Sequence, residues 1–231
     1  MTFMQSRNNY TVTRKCVLDE TVLRNNRLLI QDETTPASAA YNMLRTQVLR
    51  AMDKIQARTL GIISARSGEG RTTTAINLAL SLARERNHTA LLVDLDFNNP
   101  CIKKYMGIDG DGSVLAVLEH KDAVENVLIN PGIPGLTLLV GDDRVSDSSD
   151  ILSDPKTQEL IAQLKSRYDS RIIIFDLPAA LEKDDAIAFL PYLDAVLVVV
   201  DDGKTLQEDL AKLASLIDAQ KIIGTLLNRQ R

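Results

Sequence analysis

The chain has 231 residues and a formal net charge of −4, with 45% apolar and 25% charged residues. This length suits one α/β domain with a sizeable core, or at most two small ones, and the balance is that of a globular protein. The charge makes no general case for nucleic-acid binding. The two cysteines, Cys16 and Cys101, offer neither a disulfide framework nor metal-ligand spacing, and no apolar run approaches the ~18–20 residues that span a bilayer.

Residues 1–35 mix polar and charged positions with short apolar pieces such as Leu28-Leu29-Ile30. They read as a poorly ordered arm with room for one docked segment. Met1 to Tyr10 lacks the apolar stretch of a signal peptide. Arg7, Arg14, Lys15, Arg24 and Arg27 outweigh Asp19 and Glu20, a pattern more typical of a solvated tail than of a membrane-binding arm. Pro36 opens a helix running to about Ala57, striped by Ala40, Leu44, Val48 and Leu49. From Thr59 strands and helices alternate, with strands expected at 59–64, 89–94, 135–140, 171–176, 194–200 and 221–226. Helices are expected at 72–86, 113–119, 155–167 and 205–219, and shorter ones near 101–106 and 184–190. Ile172-Ile173-Ile174-Phe175 and Ala195 to Val200 are apolar throughout, as in strands covered on both faces. The expected fold is a doubly wound α/β domain over residues 36–231, a mainly parallel sheet flanked by helices, with an N-terminal helical extension.

The segment Ser64-Ala65-Arg66-Ser67-Gly68-Glu69-Gly70-Arg71-Thr72-Thr73-Thr74 follows an apolar strand and precedes a helix. That is the context of a phosphate-binding loop, in which glycines let the backbone close on a phosphate and helix-start N–H groups meet its oxygens. Thr72 stands where a Mg²⁺-ligating hydroxyl is needed. The standard lysine, however, is Arg71. Two further strands end in carboxylates, Leu91-Leu92-Val93-Asp94-Leu95-Asp96 and Ile172 to Asp176, and a third ends in Asp201-Asp202. Carboxylates past strand ends can hold Mg²⁺ through water or orient a nucleophile. With the loop upstream, Asp94, Asp96 and Asp176 are favoured for such a role; Asp201 and Asp202 serve equally well as turn residues.

Taken together, these motifs resemble the cytoplasmic kinase domain of the bacterial tyrosine kinases of polysaccharide export, the CpsD/CapB/Wzc type, within the MinD/ParA branch of P-loop ATPases. Ser67 to Thr73 is similar to the family's Pro-Gly-Glu-Gly-Lys-Ser-Thr, and Val93 to Pro100 to its second acidic motif. Tyr168-Asp169 with Asp176-Leu177-Pro178 resembles its third motif, and Asp150 to Pro155, Asp185-Ala186 and Gly224 to Asn228 also fit. The resemblance implies ATP and Mg²⁺ as ligands. It places the backbone of Ser67, Gly68, Glu69, Gly70, Arg71, Thr72 and Thr73 around the phosphates, and Arg71 in the place of the β/γ-phosphate lysine. Thr72 is implied as the Mg²⁺ ligand, Asp94 and Asp96 as base or hydroxyl-orienting carboxylates near the metal, Asp176 as a further metal-side aspartate, and Asn228 as an adenine neighbour. Arg66 corresponds to a position that often carries a lysine reaching across a dimer; a surface arginine in a turn explains it equally well. The implied partner is a membrane polysaccharide copolymerase or chain-length regulator that would hold a cytoplasmic protein at the inner face of the plasma membrane, with no nucleic acid.

Four departures from the family's pattern touch function. Arg71 keeps the charge, but a planar fork does not reproduce a compact ammonium between two phosphates. Losing part of a charge-assisted contact, on the order of 1–3 kcal/mol, would slow phosphoryl transfer by about ten- to a hundredfold. Asn98 and Asn99 replace basic residues, and the ring-forming Glu-x-x-Arg-x-x-Arg reads Ala39, Asn42 and Arg45, which implies a monomer or homodimer rather than a ring. The sequence ends at Arg231 without a tyrosine-rich tail. The leading reading is a Mg-ATP-binding, kinase-like protein with weakened catalysis. The alternatives are a non-catalytic nucleotide sensor of a copolymerase and a MinD/ParA-type positioning ATPase.

Overall fold

The computed structural model describes residues 14–30, 34–109, 112–146, 148–168 and 170–229. Its eight strands are β1 (Arg14–Lys15), β2 (Thr59–Ser64), β3 (Thr89–Asp94), β4 (Ile129–Asn130), β5 (Leu136–Leu139), β6 (Arg171–Asp176), β7 (Ala195–Asp201) and β8 (Ile222–Asn228). They form one sheet in the order β1-β4-β5-β3-β6-β2-β7-β8. Every pairing is parallel except β4 with β5. The helices are α1 (Glu20–Asn25), α2 (Pro36–Lys54), α3 (Arg71–Ala83), α4 (Ile102–Met106), α5 (Val114–Leu118), α6 (Val124–Val127), α7 (Ser148–Ser153), α8 (Pro155–Ser166), α9 (Asp185–Phe189) and α10 (Gln207–Leu216).

All residues of β2, β6 and β7 are buried, because the sheet is covered on both sides. Alternate side chains enter two cores. Leu60, Ile62, Leu92 and Ile174 pack with α2 and α3, while Ile63, Leu91, Ile173 and Phe175 pack with α5, α8 and α9. Gly61 is required by close packing, since a Cβ there would lie 2.4 Å from Leu193 Cδ1. Thr35 caps α2, its hydroxyl accepting the Ser38 N–H at 3.0 Å, with Pro36 in the first turn; Asp154 and Pro155 start α8 in the same manner.

Within the arm expected over residues 1–35, residues 14–30 form the docked segment for which the sequence left room. Asp19 caps α1 by accepting the Thr21 N–H at 2.7 Å. Leu23, Leu28, Leu29 and Ile30 are buried in the α2/α3 core. Asn77 on α3 fixes the segment, accepting the Leu29 N–H at 2.8 Å and donating to the Arg27 carbonyl at 3.1 Å. The burial of four large side chains offsets part of the cost of ordering the segment, and hydrogen bonds with Asn77, Arg84 and Tyr105 add to that offset. Residues 1–13, including Arg7 and Tyr10, and residues 31–33 lie outside the described residues. Helix α2 ends at Lys54, three residues short of expectation, and β1, β4, α1, α6 and α7 were not expected as elements.

The topology gathers the carboxyl ends of five strands, β3, β6, β2, β7 and β8, along one edge. Strand β6 lies between β3 and β2, with Asp94 opposite Asp176 and Ile62 opposite Asp176. Asp201 at the end of β7 faces Asn228 at the end of β8. The loop joining β2 to α3 rises from the middle of this edge, where open parallel sheets bind ligands. Among the described residues, no helix is long and apolar enough to cross a membrane.

Candidate phosphate and metal site

The loop from Ala65 to Gly70 is braced from within. Glu69 is fully buried, and its carboxylate accepts the Arg66 N–H at 3.0 Å and the Thr205 hydroxyl. Gly70 has φ +95°, and a Cβ there would meet Asn228 Nδ2 at 2.1 Å, so only glycine fits. That Asn228 amide donates to the Glu69 carbonyl at 2.9 Å. Asn228 thus buttresses the loop from behind, and its neighbour Arg229 borders the adjoining cavity. The cavity holds about 290 Å³ and is bordered by Ser67, Gly68, Gly70, Arg71, Thr72 and Thr73, and across from them by Asp96, Cys101, Glu182 and Lys183. Asn98 and Asn99 line it too.

Arg71 is only 7% exposed, and its guanidinium is tied to three segments of its own chain. Nε donates to the Leu177 carbonyl at 2.6 Å, Nη1 to Ser64 Oγ at 2.9 Å, and Nη2 to Asp96 Oδ2 at 3.0 Å. A planar fork can satisfy all three acceptors at once; an ammonium on a flexible stem cannot. In this arrangement the cation expected at the phosphates is the counter-ion of Asp96. The other Asp96 oxygen accepts the Asn99 N–H at 3.1 Å.

Asp94 is buried at the end of β3 and accepts three backbone N–H groups, from Asp96 (3.1 Å), Cys101 (3.2 Å) and Ile102 (3.2 Å). Burial, and then the charge of Asp176, push its carboxyl well above the ordinary range. Asp176 is completely buried, and neither of its oxygens takes a hydrogen bond from the described residues. Burial raises it to about 7 against the pull of Arg71 and the Thr72 hydroxyl, which lies near without completing a bond to either oxygen. A buried carboxylate without donors calls for a missing partner. Three carboxylates face one guanidinium here, an excess of negative charge that a divalent cation offsets. Asp176 with Thr72, and Asp94 beside them, therefore fit Mg²⁺. Among the described residues no ready-made cluster of three metal-ligating side chains exists, which agrees with an ion that keeps waters and takes ligands from phosphate.

The remaining expected residues are placed as follows. Arg66 pairs with Asp209 of its own chain through Nε (3.0 Å) and Nη2 (2.9 Å). Asp201 accepts Arg229 Nη1 at 2.6 Å. Asn42 and Arg45 turn toward α3, where Arg45 Nη1 donates to the Ser81 carbonyl at 3.0 Å and the Ser81 hydroxyl donates to Asn42 Oδ1 at 3.0 Å. Asp185 accepts the Ser148 hydroxyl and, at 3.4 Å, the Asn98 amide. Glu182, Lys183, Cys101 and Arg229 border the cavity without having been singled out from sequence. For Glu182 and Lys183 the available signal was their position, just past an acidic strand end at the ligand-binding edge.

Two outcomes follow from this geometry. Arg71→Met leaves Asp96 buried without its counter-charge and should cost about 3–5 kcal/mol of stability in urea unfolding. Combining it with Asp96→Asn should recover about 1 kcal/mol or more relative to the sum of the single losses; strictly additive losses would show that the pair is not coupled. The second concerns pH. Asp176 holds its proton in the fold up to about 7 but has an ordinary value of 3.8. Between those values the fold binds a proton that the open chain has released, so stability falls as pH rises through this window and levels off above it. The unfolding free energy without metal should drop from pH 5 to pH 8 by on the order of 1–3 kcal/mol; Asp176→Asn should lessen that slope, with Asp94, also raised by burial, carrying the remainder. A slope unchanged in the variant would assign the titration elsewhere.

Residues 57–228 match the family described as AAA domain (AAA_31). The tyrosine-protein kinase YwqD of Bacillus subtilis (strain 168) is 28% identical over 196 residues, covering 84% of this chain and 81% of that protein. The succinoglycan biosynthesis transport protein ExoP of Rhizobium meliloti (strain 1021) is 28% identical over 180 residues, covering 75% of this chain and 22% of ExoP. Among solved structures, the chimerical protein CapA2B2 superposes with a TM-score of 0.79 at 21% identity, over 95% of this chain and 94% of that one. The septum site-determining protein MinD of Pyrococcus horikoshii OT3, complexed with Mg-ADP, superposes at 0.60 and 24% identity over 74% and 70%. These likenesses agree with the fold described above and with the resemblance carried by its motifs. The chain belongs to the AAA domain family of P-loop ATPase folds, and its relatives there include bacterial tyrosine-protein kinases.

Proposed function

We propose that this chain binds Mg-ATP as a kinase-like P-loop protein and that phosphoryl transfer is weak in it. The observation that carries this reading is the commitment of the Arg71 guanidinium to Leu177, Ser64 and Asp96. The loop backbone and the helix start are arranged for phosphate, which supports binding. The cation that should stabilise charge developing on the transferred phosphate is turned away from it, and Asp96, the candidate base, is bound to that same cation.

Thr72, Asp176 and Asp94 would hold Mg²⁺, with Asp176 in contact or through water. A bound Mg²⁺ would neutralise phosphate charge and polarise the bond to be broken. The protein's own contributions are to cradle the phosphates with residues 67–73 and to hold Asp96 beside the cavity through its bond to Arg71. The same geometry favours the sensor reading as the second choice: a protein that reports nucleotide occupancy needs binding and a conformational response, but no turnover. The motif resemblance and the transport role carried in ExoP's name support a cytoplasmic site of action beside a membrane polysaccharide copolymerase. Asn42 and Arg45, engaged with α3, support a monomer or dimer rather than a ring.

Calorimetric titration of the purified chain with ATP and ADP, with and without Mg²⁺, tests this reading alongside phosphate release and phosphotyrosine detection. ATP should bind in the micromolar range, about tenfold more tightly with Mg²⁺ than without it, and Asp176→Asn should abolish that Mg²⁺ gain. Turnover should be slow. Absence of nucleotide binding would overturn the reading; rapid release of phosphate would overturn the claim of weakened catalysis.

A further inference from the structure

Glu182 lies in the loop between β6 and α9 and is exposed, yet its carboxylate is held. Oε1 accepts the Ser67 N–H at 3.0 Å and Oε2 accepts the Ser67 hydroxyl at 2.6 Å. These bonds, led by the hydroxyl, hold the Glu182 carboxyl below its ordinary value. The first amide of the phosphate loop is thus already bound to an anion supplied by the protein, across 115 residues of sequence.

Ser67 and Glu182 border the same cavity as Asp96, the candidate base. On the proposed reading the transferred phosphate lies beside Asp96, so the last member of the phosphate chain meets the part of the loop where the Glu182 carboxylate sits. Arg66 and Arg71, paired with Asp209 and Asp96, also attract the Glu182 carboxylate, and Lys204 Nζ donates to the Ser67 carbonyl at 3.3 Å. These cations hold Glu182 where it is, so a second anion at Ser67 would meet its charge, and like charges in close approach lower affinity several-fold even where water screens them.

We propose that Glu182 is a specificity-determining residue that stands in for the terminal phosphate, so that the site accepts a nucleoside diphosphate as it is and a triphosphate only by displacing Glu182 from Ser67. The assignment rests on the nucleotide-binding reading and gives that site a preference for chain length. It also offers a simple switch. Arrival of a triphosphate would free the loop after β6, which carries Lys183 on the cavity wall and leads into α9, and so could signal occupancy.

The test is titration of the full chain with Mg-ADP and Mg-ATP in three forms: natural, Glu182→Gln and Glu182→Ala. Both substitutions fall at an exposed position, so folding should survive and can be verified by circular dichroism. The ATP affinity should rise about tenfold in both variants while that for ADP changes by less than about threefold, moving the ATP-to-ADP preference by roughly the difference. An unchanged preference, or equal changes for the two nucleotides, would overturn the proposal and leave Glu182 as a brace for the loop. If the folded natural chain and both variants bind neither nucleotide, the nucleotide reading itself falls, and this assignment falls with it.

Discussion

The ion pair between Arg71 and Asp96 is the contact on which the rest of the site depends. It joins the start of α3 to the end of the β3 motif, and the remaining Arg71 donors join both to the β6 exit at Leu177 and to Ser64 beneath the loop. Three strand ends are thereby fixed to one side chain. A buried pair of this kind adds little net stability over an apolar replacement, but losing one partner is costly. Its main effect is to set geometry. On the proposed reading, that geometry would hold a phosphate cradle open while withdrawing the cation that phosphoryl transfer needs.

The acidic pair beneath the cradle works in the opposite sense. Asp94 and Asp176 face each other from adjacent strands, and burial raises both carboxyls. Unlike Asp94, which has three backbone donors, Asp176 has none among the described residues. The fold accepts this unfavourable burial at the one point where Thr72 and the loop converge. Cation binding there would relieve it, so metal affinity and fold stability are two sides of the same charge. The loop's own anion, Glu182, is by contrast answered from within the chain, by the Ser67 amide and hydroxyl.

Much of this was legible in the sequence. Ile172 to Phe175 and Ala195 to Val200 are apolar without alternation because both faces of the sheet are covered, which revealed a parallel α/β fold directly. Gly68 and Gly70 between a strand and a helix revealed the loop, and Asp94 and Asp176 marked the strand ends. What sequence could not show was direction. Whether Arg71 points to phosphate or to Asp96 depends on acceptors at Leu177 and Ser64 that are brought together only by the finished sheet. Likewise, Glu182 meets Ser67 only after β6 has inserted beside β2. The docking of residues 14–30 was hidden for another reason. Helix α1 has six residues and β1 and β4 have two each, too short for periodicity to register, and the polar side chains around Leu28 to Ile30 outnumber the apolar ones that anchor it.

The central claim is that the arginine permits binding and limits transfer. Parallel measurement of ATP affinity and phosphate release for the natural chain and Arg71→Lys tests it most directly. A lysine loses the fork that holds Leu177, Ser64 and Asp96 together and regains a compact cation able to turn toward the phosphates. The account predicts ATP affinity within about threefold and phosphate release faster by about tenfold or more. Unchanged or slower release, or a loss of affinity by about tenfold, would contradict it.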